Sequence, residues 1–118
     1  MVVTNGPLGI FTAQNESGHK ALIGDSIRGQ EIVIDIRAKS TAEFGDIERI
    51  TLLRGDLKEK QEVVEKAISG SELKNRRVVE DLRYVLRFKN PSYVRLELTS
   101  HRGGEIFRGY TNPIWIEP

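Results

Sequence analysis

The stretch Leu82-Arg83-Tyr84-Val85-Leu86-Arg87-Phe88-Lys89-Asn90-Pro91-Ser92-Tyr93-Val94-Arg95-Leu96-Glu97-Leu98-Thr99 decides the fold class. Leu82, Tyr84, Leu86 and Phe88 alternate with Arg83, Val85, Arg87 and Lys89. After Asn90-Pro91-Ser92, Val94, Leu96 and Leu98 alternate with Tyr93, Arg95, Glu97 and Thr99. Side chains of a strand point to opposite faces with period two, so each run has one buried and one wet face. Two such runs joined by a short turn predict a hairpin.

The same reading extends in both directions. Downstream, His101–Gly104 is a tight connection into Glu105–Tyr110, and an Asn112-Pro113 corner precedes a last strand, Ile114–Ile116. This tail holds the single Trp and is expected to close the core. Upstream, Glu31–Ala38 alternates most clearly, with Ile32, Ile34, Ile36 and Ala38 on one side. Ile47–Arg54 is a strand of poorer alternation, stopped by Gly55-Asp56, with partial cover expected on both faces. Leu8–Ala13 is a strand with Leu8, Ile10 and Thr12 on one face, after a short Val2-Val3-Thr4 start and the Asn5-Gly6-Pro7 turn. Ala21-Leu22-Ile23 is a brief apolar run ended by Gly24-Asp25.

Residues 56–69 admit two readings. Asp56 with Glu59 three positions on fits a helix-capping box. Val63-Val64 and Ile68 favour a strand, and Gly55-Asp56 suits a hairpin turn. The chain as a whole is expected to be all-β: one domain over 1–118, an antiparallel two-layer β-sandwich of immunoglobulin-like type with seven to nine strands. With no cysteine the immunoglobulin disulfide is absent, as are thiolate nucleophiles and cysteine metal sites.

Composition narrows the function classes. Hydrophobic residues make up 38% and charged residues 30%, ordinary for a globular domain. No apolar run approaches the roughly 18 residues of a membrane span, so no membrane role is expected. The N-terminus lacks a basic flank followed by an apolar core, and a cytoplasmic location is expected. Net charge is +1, too small for general polyanion binding, so nucleic acid is not an expected partner. Charge is uneven: residues 1–73 carry 9 Lys/Arg against 12 Asp/Glu, and residues 74–118 carry 9 against 5.

Catalytic chemistry has few candidates. His19 and His101 stand far apart in sequence in turn-like contexts, without a second ligand at metal-binding spacing. Glu80-Asp81 would point to opposite strand faces, and Asp25 and Asp46 follow glycines, where a carboxylate bonds turn N–H groups. No nucleophile elbow or phosphate-binding glycine loop occurs. The chain by itself is expected not to be an enzyme and to hold no metal or cofactor. Arg83, Arg87 and Lys89 share one wet face and Arg95 lies on the next, a candidate anion-binding group beside Tyr93. Their plainer role is a solvated sheet face paired with Glu97 and Glu105.

Tyr110-Thr111-Asn112-Pro113-Ile114-Trp115-Ile116 resembles the closing segment of prokaryotic PHP-domain proteins, the polymerase-and-histidinol-phosphatase superfamily of metal-dependent phosphoesterases. In a subset of these a small β-rich domain follows the catalytic barrel. Val3-Thr4-Asn5-Gly6-Pro7 resembles the stretch by which such chains leave the barrel. Ile23-Gly24-Asp25, Ile32–Ser40 and Ile47–Gly55 resemble further parts of that domain, and the last favours a strand after Gly55. The barrel's histidine, aspartate and glutamate metal ligands have no counterpart here. The resemblance therefore implies a non-catalytic accessory domain, a fragment or separate product, whose partner is the barrel in cis or trans. Divalent metals would belong to that barrel. Asn5, Gly6, Pro7, Thr111, Asn112 and Pro113 are candidate interdomain contacts; the alternative is a stand-alone module binding nucleic acid, phosphate or sugar through the basic face.

Overall fold

Alternation is realised as two facing antiparallel-dominated sheets. The computed structural model describes residues 2–4 and 6–118, with 2–4 and Asp81 described by backbone alone. Sheet B contains β2 (Leu8–Gln14), β3 (Lys20–Ala21), β5 (Glu31–Lys39) and β8 (Val78–Arg87), in the order β3-β2-β5-β8. Sheet A is built on β9 (Ser92–Arg102). One edge of β9 pairs with β6 (Asp46–Asp56), which pairs with β7 (Gln61–Ser69). The other edge pairs with β10 (Glu105–Thr111) and then with β11 (Ile114–Glu117). Beyond that column lie β1 (Val2–Thr4), antiparallel to β10, and β4 (Ser26–Arg28), parallel to β11. No described helix is long and apolar enough to cross a membrane.

The architecture is the expected two-layer sandwich: β2-β5-β8 faces β7-β6-β9-β10/β11, and the chain changes sheets after β1, β3, β4, β5, β7 and β8. Eleven strands are described rather than seven to nine. The excess comes from two- and three-residue edge strands and from Asn112-Pro113, which splits one column in two. Proline has no N–H for the ladder. At that break the Thr111 hydroxyl accepts the Leu96 N–H at 3.0 Å in place of a backbone partner.

The predicted 82–99 hairpin is corrected. Both runs are strands with the expected faces buried, but β8 pairs with β5 and β9 with β6, so Asn90-Pro91-Ser92 is an arch between the sheets. Tight two-residue hairpins need positive φ in the turn. No described residue of this link has it, whereas Gly103 (φ 58) and Gly104 (φ 94) turn β9 into β10 as expected. The arch is held by Asn90 donating to Asp56 at 2.9 Å and Leu57 N–H donating to Pro91 O at 2.9 Å.

Residues 56–69 are a turn and a strand. Asp56 accepts the N–H groups of Lys58 and Glu59 at 2.9 and 3.0 Å, capping one turn only. The chain then returns along β6, where β-branched Val63 and Val64 pair with Arg54 and Leu53. The irregular alternation of β6 arises from a bulge between Ile47 and Arg49, which brings Ile47, Ile50 and Leu52 to the same inward face. Leu53, on the other face, is still 7% exposed. In β2 the inward set is Gly9, Phe11 and Ala13, while Leu8 and Ile10 are exposed.

Ile32, Ile34, Ile36, Ile47, Ile50, Leu52, Val94, Leu96 and Ile114 are 0% exposed, and they line the two inner faces. The tail closes this core with Ile114 and Ile116; Ile106, Tyr110 and Trp115 are exposed.

Candidate functional site

Three of the five stretches that carry the resemblance meet on one edge of sheet A; Ile32–Ser40 falls on β5 inside sheet B, and Ile47–Gly55 lies within β6 on the other side of β9. β1 runs beside the tail, with Val3 opposite Tyr110 and Val2 opposite Thr111. The Gly24-Asp25 turn closes on the tail: Gly24 N–H donates to Pro113 O and Trp115 N–H to Asp25 O, both at 2.9 Å. Asp25 also accepts Leu22 N–H at 3.2 Å, the turn role expected of it.

Of the expected interdomain residues, Asn5 lies outside the described residues. Gly6 and Pro7 are buried, and a β-carbon at Gly6 would press on Cβ of Phe107 at 2.6 Å. Thr111 is buried and bonded to Leu96, Pro113 is half-buried, and Asn112 is exposed. Among the described residues of the set, Asn112 and the Pro113 ring are thus the parts that face out.

The candidate anion group is divided between the sheets. Arg83 and Arg87 lie on the outer face of sheet B, paired with Asp35 at 3.2 Å and Glu31 at 3.4 Å; Lys89 is exposed just past β8. Arg95 lies on the outer face of sheet A. The arch places these residues on opposite sides of the sandwich. Asp46 pairs with Arg77 at 2.8 Å instead of capping a turn. His19 and His101 are exposed, His101 beside Asp46 and Arg76 at a shallow surface depression. Among the described residues no group of three or more His, Cys, Asp or Glu could hold a metal ion.

A hydrogen-bonded outward-facing cluster is legible in the sequence only in pieces. On sheet A, Arg95 donates from Nε and Nη2 to the two oxygens of Glu62 at 2.8 and 2.7 Å, and from Nη1 to Glu97 at 2.9 Å. The Tyr93 hydroxyl donates to Glu62, and the Tyr93 ring meets Trp115 edge-to-face, with centroids 5.6 Å apart. The Arg95 hydrogen bonds hold the Glu62 carboxyl below its usual range, and Glu62 as acceptor raises the Tyr93 hydroxyl above its own. Bonds to Glu62 likewise raise Arg95. Glu62 was missed because it lies in the ambiguous segment. Gly55 is another missed part: it is an interior residue of β6, and a β-carbon there would fall inside the Tyr93 ring.

No protein-family model, curated protein or solved structure matches the chain.

Proposed function

We propose that the chain is a non-catalytic accessory β-sandwich that packs against a PHP-type metal-dependent phosphoesterase barrel and stabilises it or shapes access to its metal site. The observation that supports this reading is that three of the resembling motifs meet on one edge. Val3-Thr4 and Gly24-Asp25 are far apart in sequence, yet the first pairs with Gly109-Tyr110 and the second hydrogen-bonds to Pro113 and Trp115. Strand β1, which resembles the exit from the barrel, runs along that same edge. The surface offered to a barrel is then Asn112, Pro113 and the Gly24-Asp25 turn.

The test is an assay of the purified chain for phosphomonoester and phosphodiester hydrolysis with Mn²⁺ or Zn²⁺, with and without a separately expressed PHP barrel. The reading expects no turnover by the chain alone, and altered barrel stability or kinetics when the two are combined. Turnover by the chain alone overturns it.

A further inference from the structure

The outer face of sheet A carries an aromatic pair that the core does not use. The core lies on the opposite side of β9 and β11, where Val94, Leu96, Ile114 and Ile116 are at most 1% exposed. Trp115 points the other way and is 40% exposed, with Tyr93 half-buried beside it. Tyr93 is fixed from three sides: Gly55 leaves room for its ring, Glu62 takes its hydroxyl, and Trp115 meets its ring. Exposed apolar area forgoes the gain of burial, and Trp and Tyr rings with an exposed face are enriched at binding surfaces.

We propose that this face is a binding site for a neutral saccharide, contacted by Trp115, Tyr93, Arg95 and Glu97. Glu62, Arg95 and Glu97 sum to a formal charge of −1, which opposes a phosphate, sulfate or uronate. Both Glu62 oxygens are already bonded to Arg95, so the carboxylate charge is not open to an incoming cation. Arg95 has five N–H groups and spends three on the two glutamates, leaving two. Glu97 uses one oxygen on Arg95; the second has no partner among the described residues. Two open donors and an open acceptor next to an aromatic surface complement a sugar ring, whose hydroxyls both donate and accept and whose C–H face packs on a ring.

The two aromatic planes meet at 62° and are not coplanar, which suits a short oligosaccharide better than a long flat polymer. The polar groups are held by bonds within the protein, so little ordering is left for the ligand to drive. Trp115 belongs to the tail that the accessory-domain reading also uses, but this inference does not depend on that reading, because the surface offered there to a barrel is Asn112, Pro113 and the Gly24-Asp25 turn.

Trp115 is the only tryptophan, so its emission reports on this site. The intact chain is titrated with neutral oligosaccharides built of glucose, galactose, mannose or xylose, and in parallel with a sulfated oligosaccharide and an oligolysine peptide. The expected result is a saturable emission change with at least one neutral sugar, at about millimolar Kd or tighter, insensitive to salt. By calorimetry, Trp115→Ala should weaken that binding by about tenfold or more. Tyr93→Phe and Glu97→Gln, which keep the rings and the fold, should each weaken it by about threefold. Arg83→Gln, on the other sheet, should leave it unchanged. The proposal is overturned if no neutral sugar changes the emission, if only oligolysine or the sulfated sugar does, or if Tyr93→Phe and Glu97→Gln bind as the parent does.

Discussion

Replacing Arg95 with Met removes three charge-assisted hydrogen bonds from the sheet A face while keeping an apolar stem. Buried bonds of this type contribute about 1.5–3 kcal/mol each, whereas exposed ion pairs contribute about 0.2–1 kcal/mol. Here the side chains are 25% (Arg95), 29% (Glu62) and 39% (Glu97) exposed, so solvent screens them substantially. A total of about 2 kcal/mol for Arg95→Met follows, near 8 °C in Tm for a domain of this size. Glu62→Gln keeps an acceptor for Tyr93 and loses the charge, and is expected to cost about 1 kcal/mol. The two residues share their strongest bonds, so the double variant should be more stable than additivity predicts, with a coupling of about 1 kcal/mol. Urea unfolding followed by far-UV circular dichroism measures all four proteins. An Arg95→Met variant within about 0.3 kcal/mol of the parent, or strictly additive effects, would refute the reasoning.

The same network sets a pH dependence. The folded Glu62 carboxyl lies below its ordinary 4.5, so its contribution is present above pH 4.5 and is lost as pH falls through the folded value. Tyr93 is raised above 10.0, so its contribution is present below pH 10.0 and is lost as pH rises through its folded value. Urea midpoints across pH should show both limbs, and Arg95→Met should flatten the acid one. Gly45 has φ 83, and a β-carbon there would fall on the His101 carbonyl oxygen, which is backbone and cannot swing aside. Gly45→Ala should therefore cost about 3 kcal/mol or more by the same urea measurement. Ile34→Ala, at a site 0% exposed between the sheets, should cost about 3 kcal/mol.

Which faces are buried was legible in the sequence. The isoleucines of β5 and the leucines of β9 are core because period two and β-branching leave few alternatives. Which strands pair was less legible, since alternation says nothing about the hydrogen-bonding edge. The β9–β10 hairpin was readable because Gly103-Gly104 supplies positive φ; the 82–99 link lacks such residues and arches between sheets. That arch also separates Arg95 from Arg83 and Arg87, which sequence proximity had grouped. The Arg95–Glu97 pairing was visible as an i, i+2 relation on one strand face. Glu62 and Gly55 joined the cluster only through the register of β6 with β7 and β9, where one bulge shifts every later neighbour. The outward Trp115 follows from its alternation with Ile114 and Ile116, a signal outweighed by the expectation that a lone Trp belongs inside.

The meeting of the Gly24-Asp25 turn with the tail on one sheet edge can be measured by amide exchange and nuclear Overhauser contacts in solution. The account predicts slow exchange at Gly24 and Trp115, whose N–H groups bond to Pro113 and Asp25, together with contacts between Ser26 and Trp115. Fast exchange at both amides with no such contact would contradict it.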